Sequence, residues 1–289
     1  MQPMQTQTRL SRTQMLGLAF LAFVVVFVLW QMPSSWFIPA LILYPLRLFV
    51  TFVHETGHGL TAIVTGGAFI NFIVYDNGGG LAYTAGGNRF LILQMGYVGA
   101  ALFGAVLIYL ANRMRRTNVL IFCIGLYMTG SALLFSHGGR LTLVLGVGVA
   151  VVLWLLGEHY RRYSGWLWTL AWLCLIGTAA LMFAGSDKAL VVGLLGGAVL
   201  MGMGIFAPRT VNIVILNVLA FATGLNALND IWVLTHLGPG VTSDASMSGD
   251  LTGIPAMFFV GVWATLAVLL IGGAVYLTFI RKDTTTEIA

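Results

Sequence analysis

The sequence predicts an all-α polytopic membrane protein, a bundle of about nine transmembrane helices with one small β-hairpin after the second helix. Three observations carry this. Hydrophobic residues make up 59% of the 289 and charged residues 8%, against about 25% charged in a soluble globular domain. The apolar residues fall in stretches of about 20, the length that spans a bilayer. One run rich in β-branched and aromatic types, 68–75, ends on Asp76-Asn-Gly-Gly-Gly80 before Leu81-Ala-Tyr-Thr84, the pattern of strand, tight turn and strand. With a mean hydropathy of +0.95, the chain cannot assemble a water-soluble surface. An ordinary cytosolic enzyme, a disordered chain and a nucleic-acid-binding arm are thereby excluded. The expected surroundings are a lipid bilayer, with the net charge of +5 spread over loop arginines at headgroup level.

The spans fall near residues 15–31, 40–64, 89–111, 118–135, 140–157, 166–184, 188–206, 211–236 and 256–280. The first, Leu16 to Trp30 behind Arg9 and Arg12, has the shape of a signal-peptide core. No small-x-small site follows it, so an uncleaved anchor is expected. The hairpin at 68–85 carries open edges, a pairing surface beside the membrane. Small residues at four-residue spacing, Gly96-x3-Ala100-x3-Gly104 and Gly193-x3-Gly197, allow helix backbones to approach closely in lipid. Cys123 and Cys174 both lie in apolar stretches, against a disulfide framework. The segment 237–255 reads as a long polar loop. Arg9, Arg12, Arg89, Arg140 and Lys188 fall on one face of a nine-span bundle, and the other basic loop residues on the opposite face.

Charge inside a span costs about 2.5–3.5 kcal/mol per group, so an intramembrane ionisable residue is a functional candidate. The second span contains His54-Glu55-Thr56-Gly57-His58, the pattern H-E-x-x-H. Two histidines four residues apart project from one helix face and can share one tetrahedral zinc ion. Glu55 sits about 100° round the helix, where it serves as general base towards water and then passes the proton to a leaving amine. With His at 5 positions, a chance match is expected on the order of once in a thousand such chains.

A catalytic zinc site needs a third protein ligand. Asp230 is the leading candidate, because spans two and eight run in the same direction on this count and place it at the face and depth of His54 and His58. Asp244, in the polar segment after span eight, is the alternative. Asn226 and Asn229 accompany Asp230; Asn226 stands four residues before it, a polar stripe able to hold the ligand or a substrate backbone. His236 lies on another helix face, His137 and His159 in turn-like segments beside arginines, and Asp76 at the hairpin turn; Asp250 shares the loop of Asp244.

His54-Glu-Thr-Gly-His58-Gly-Leu-Thr-Ala62, then Thr65-Gly-Gly67 and a hairpin, resembles the site-2 protease type of intramembrane zinc metallopeptidase, in particular a divergent bacterial and plant branch. Ser243-Asp244-Ala245 and Thr252-Gly-Ile-Pro-Ala256 also resemble that branch. The resemblance covers 40–110, the metal-helix region, and 211–265, the distal-ligand region, of what reads as a single membrane-embedded domain, 1–289. It implies that His54, His58 and a distal aspartate bind zinc and that Glu55 is the acid/base. The distal motif of the family, Asn-x2-Pro-x3-Leu-Asp-Gly, has as its nearest counterpart Asn226-Ala-Leu-Asn229-Asp230-Ile231, without the proline or the glycine. The implied function is hydrolysis of membrane-spanning or membrane-adjacent protein substrates, in a bacterial plasma membrane. An edge strand holds the unwound substrate by β-addition, with Phe72 and Val74 on the first strand as expected contacts. Two other classes stay open: a catalytically silent scaffold of the same fold, and a transporter relaying protons or a divalent ion. Oligomeric state is not legible.

Overall fold

The structure, a computed structural model, describes residues 11–32, 37–185, 187–236 and 242–281, the side chains of 12, 37–41 and 227–236 excepted. Every apolar segment read from the sequence is helical, and seven helices among the described residues are long and apolar enough to cross a membrane. The elements are α1 (Arg12–Gln31), α2 (Phe37–Val64), β1 (Ala68–Val74), β2 (Gly80–Ala85), α3 (Arg89–Gln94), α4 (Tyr97–Arg113), α5 (Thr117–Phe135), α6 (Arg140–His159) and α7 (Ser164–Ala184). There follow α8 (Ala189–Val191), which runs through a π turn into α9 (Gly197–Phe206), then α10 (Arg209–His236), α11 (Asp244–Thr252) and α12 (Ala256–Val275), extended by a second π turn, Tyr276–Ile280. The protein is an all-α polytopic membrane protein with a two-stranded antiparallel sheet.

Two segments differ from the sequence reading. The third span is broken into α3 and α4 at Met95-Gly96. Asn88 caps the start of α3 by accepting from Leu91 N, and Met95 N closes its end on the carbonyls of Leu91 and Ile92. Irregular backbone of this kind survives at membrane depth only where protein or a polar cavity satisfies it. The segment 237–255, read as a loop, contains α11. Ser243 and Ser246 form a capping box at its start, and Gly253, at φ +75°, ends it in the left-handed conformation that glycine adopts without strain.

The chain divides into two compact units. The first comprises Met1–Leu43, Tyr97–Ile121 and Met203–Ala289. Within it α4 packs on α10 and α12, and α1 on α10. Of the first small-residue stripe, Gly96 lies before α4 in the break. At Gly104 the stripe acts as expected: a Cβ there would come 2.7 Å from the Ala220 carbonyl oxygen, so glycine is what lets α4 and α10 touch. Below it, Asn112 and Asn217 are both buried. Asn112 Nδ2 donates to Asn217 Oδ1 at 2.9 Å and Asn217 Nδ2 returns a bond at 3.4 Å. Each Nδ2 also donates to the carbonyl one turn earlier, so both amides are satisfied away from water. Trp263 of α12 is buried among Ala245, Phe259 and Val260 and stacks on Tyr97 at 4.8 Å. That cluster fixes the start of α11.

The second unit comprises Tyr44–Gly96 and Phe122–Gly202. Helices α6 and α7 form an antiparallel pair whose outer faces, including Trp166 and Leu141, are exposed, as lipid-facing residues are. The second small-residue stripe faces α5: a Cβ on Gly197 would come 2.7 Å from the Gly125 carbonyl, and one on Gly193 2.9 Å from that of Met128. In the hairpin, Ala68 pairs with Ala85 and Val74 with Gly80. A bulge between Phe69 and Asn71 shifts the alternation by one, so that Phe69, Phe72 and Val74 all face inwards and are buried. Phe72 meets Phe52 of α2 edge-on at 5.0 Å, and Phe69 stacks on Phe135 of α5 at 4.3 Å. The end of β1 is held from its other side: Lys188 N donates to Val74 O at 2.6 Å, Val74 N to Asp187 Oδ1 at 3.3 Å, and Tyr75 bridges to Asp187. The buried Lys188 ammonium donates to the carbonyls of Phe183 and Gly185.

Candidate metal centre

Each residue of the motif on α2 has its own local reason. Thr56, fully buried, back-bonds to the carbonyls of Phe52 and Val53 and meets the Tyr127 hydroxyl of α5. Gly57 faces the Met95 carbonyl and Gly59 the Phe69 ring, both too closely for any Cβ. Thr61 donates to Gly57 O at 2.8 Å. These contacts press the α2 turn carrying His54, Glu55 and His58 against the α3 break on one side and the hairpin on the other. Glu55 and His58 are 5% exposed and His54 is half-buried.

The two imidazoles converge. Their Nε2 atoms are 3.1 Å apart, with ring centroids at 4.8 Å. Two nitrogens each about 2.0–2.1 Å from one tetrahedral zinc would stand about 3.3 Å apart. His58 Nδ1 lies 2.6 Å from the Ile92 carbonyl. A carbonyl only accepts, so Nδ1 carries the proton and Nε2 presents its lone pair, the tautomer a metal needs. Opposite both Nε2 atoms stands Gly96, where a Cβ would come within 3.0 Å of each. The space the histidines face is therefore a cradle that a single methyl group would fill, and this donor set fits zinc.

Glu55 is met from the hairpin side. A Cβ on Gly80, the first residue of β2, would lie within 3.0 Å of Glu55 Oε1 and 2.6 Å from Thr51 Cγ2. The turn is tied to the same helix by Thr51, whose hydroxyl donates to Gly78 O at 2.6 Å. The carboxylate thus sits against a strand start that has no side chain of its own.

Among the remaining sequence candidates, Asp244 is half-buried and opens α11, beside the buried Ala245. Asn226 is half-buried on α10. The side chains of Asn229, Asp230 and His236 lie outside the described residues. His137, His159, Asp76 and Asp250 are exposed. Phe72 and Val74 point into the core, and the outward backbone groups of Val74 are taken by Asp187 and Lys188. In the two-stranded sheet each strand has one outer edge; that of β1 is taken at Val74, and no partner across the outer edge of β2 is present among the described residues. Gly80, Gly96 and the Ile92 carbonyl escaped sequence reasoning, because two of them act through a missing side chain and the third through the backbone.

A family model described as Peptidase M50B-like matches residues 18–184 and 161–274. No curated protein and no solved structure matches the chain.

Proposed function

Because the chain belongs to the Peptidase M50B-like family, the site-2 protease type of membrane metallopeptidase, we propose that it is a zinc-dependent endopeptidase of membrane-spanning or membrane-adjacent proteins. The observation that carries this reading is the approach of His54 Nε2 to His58 Nε2 at 3.1 Å, with the His58 tautomer set by Ile92 O. Glu55 lies on the same helical turn. We assign the third ligand to Asp244, a half-buried carboxylate at the capped start of α11 in the segment that resembles the family, with Asp230 as the alternative. Zinc held there supplies a Lewis acid for the scissile carbonyl and makes water acidic enough to attack.

The chain's own groups do the rest. Glu55 accepts the proton of the attacking water and returns it to the leaving nitrogen. The absent side chain at Gly80 leaves room beside that carboxylate. A transmembrane helix hides its carbonyls in its own hydrogen bonds, so a substrate must unwind before attack. The free edge of β2, which starts at Gly80, offers the unwound segment ladder bonds in exchange. Retention of Glu55 favours an enzyme over a silent scaffold, since a scaffold has no use for a buried carboxylate at this place. The setting we infer is a bacterial plasma membrane.

The test is elemental analysis of the purified wild type beside His54→Ala, Asp244→Ala, Asp230→Ala and Glu55→Gln. We expect one zinc per wild-type chain, lost in His54→Ala and Asp244→Ala and kept in Glu55→Gln. Zinc lost with Asp230→Ala and kept with Asp244→Ala reassigns the ligand. A wild type that neither holds nor takes up zinc overturns the metal site. One that holds zinc but cleaves no membrane-spanning substrate supports the scaffold instead.

A further inference from the structure

We propose that the end of the first unit where α4 and α12 stop and α5 and α10 start is a binding site for the phosphate of an anionic phospholipid. The hydrogen bonds bring these four ends together. Arg113, closing α4, donates to Leu277 O in the π turn of α12 at 3.0 Å. Arg209, opening α10, donates to Met114 O in the turn between α4 and α5 at 3.3 Å. Arg115, Arg116 and Arg281 are exposed at the same end.

The second observation is independent of charge. Buried polar atoms without a hydrogen-bond partner gather here: Thr117 Oγ1, Arg209 Nε, Asn212 Oδ1 and Thr278 Oγ1. Thr117 and Asn212 are fully buried and Thr278 is 3% exposed. A buried polar group left unmatched costs about 1–3 kcal/mol, so several on adjoining turns point to a ligand that satisfies them. Three of the four, Thr117 Oγ1, Arg209 Nε and Thr278 Oγ1, can donate to an acceptor-rich anion; Asn212 Oδ1 only accepts and is not served by it. Two helices begin at this place, α5 at Thr117 and α10 at Arg209; Val119 N already bonds Arg116 O and Asn212 N bonds Pro208 O, which leaves the N–H groups ahead of them as the helix-start donors. These two dipoles turn their positive ends towards it, while the carbonyls at the ends of α12 and α4, which would oppose an anion, are met by Arg113 on Leu277 O and Arg209 on Met114 O.

A lipid, and not a free phosphate, fits the surroundings. Phe206 is 85% exposed, and Ile205 and Ile280 are each 62% exposed. They provide an apolar wall for acyl chains directly beside the cationic end. A phosphodiester at the headgroup level lies beside Arg209 and the first turn of α5, behind which the Thr117 hydroxyl is buried, while its chains lie along that wall. The site is separate from the proposed zinc chemistry and does not depend on it.

Native mass spectrometry of the full chain released from nanodiscs of mixed phosphatidylglycerol and phosphatidylcholine tests the proposal. We expect one retained phosphatidylglycerol per wild-type chain. In Arg209→Gln, and in the near-isosteric Thr117→Val, its affinity should fall by about tenfold. Arg161→Gln, an exposed arginine of the other unit, should leave it unchanged. Equal retention by wild type, Arg209→Gln and Thr117→Val overturns the proposal, as does equal loss in Arg161→Gln. Displacement of the lipid by millimolar inorganic phosphate would make this a free-phosphate site and likewise overturn it. If Arg209→Gln does not fold, Thr117→Val decides alone.

Discussion

Gly80 at the start of β2 lies directly against the Glu55 carboxylate, so closely that a Cβ there would come within 3.0 Å of Oε1. The neighbours are the Glu55 side chain itself and Thr51, both on α2, so the carboxylate is what must yield. Gly80→Ala should therefore move Glu55 and leave the histidines in place. The expected outcome is full zinc content with cleavage reduced by about a hundredfold, the scale of a lost general base. Unchanged cleavage with bound zinc would show that the carboxylate position is not critical.

Gly96→Ala should have the opposite signature. Its methyl group would occupy the space faced by Nε2 of both His54 and His58. Zinc affinity should fall by at least about tenfold while the helical circular dichroism stays that of the wild type. Metal titration with a competing chelator measures the difference. Wild-type affinity would mean that the histidines coordinate away from Gly96.

The helical segments were legible because membrane helices must be long, apolar and continuous, which leaves a record in composition. His54, Glu55 and His58 were legible because their spacing has few other uses inside an apolar span. What could not be read is carried by the backbone. The Met95-Gly96 break lies in a stretch, 89–111, that has no proline and reads as one apolar run. Its cause is tertiary: the break delivers Ile92 O to His58 and Met95 O to Gly57. The helix at Asp244–Thr252 was hidden for another reason. Its composition is that of a loop, and it is started by a Ser243–Ser246 capping box and held by one buried alanine against Trp263. Phe72 and Val74 were expected at a binding edge from their place on a strand. The bulge after Phe69, invisible in the sequence, turns both into the core.

The Asn112–Asn217 pair predicts a stability effect without a functional one. Replacing Asn112 by Ala leaves the Asn217 amide buried with one fewer partner, and the expected loss is about 1–2 kcal/mol. A double-mutant cycle with Asn217→Ala should return a coupling of about 1 kcal/mol. Additive losses would mean that the two amides act independently.

Asp187 closes the outer side of the hairpin through its Oδ1 atom, which accepts from Val74 N at 3.3 Å and from Ala189 N at 2.8 Å. Asparagine presents the same carbonyl oxygen without the charge, whereas alanine presents none. Asp187→Asn should therefore keep the clamp and Asp187→Ala should release it, leaving two backbone donors unmatched at about 1–3 kcal/mol each. The end of β1 would then be held by Lys188 N on Val74 O and by its pairing with β2. Amide exchange at Val74 and Ala189 should accelerate in the alanine variant and stay near the wild-type rate in the asparagine variant. The turn at 75–79 should loosen with it, because Tyr75 N donates to Gly79 O and Tyr75 itself bridges to Asp187. Since that turn leads into Gly80 beside Glu55, cleavage of a membrane-spanning substrate should weaken through KM more than through kcat. Equal exchange in both variants would show that the carboxylate charge, and not the Oδ1 acceptor, holds the strand.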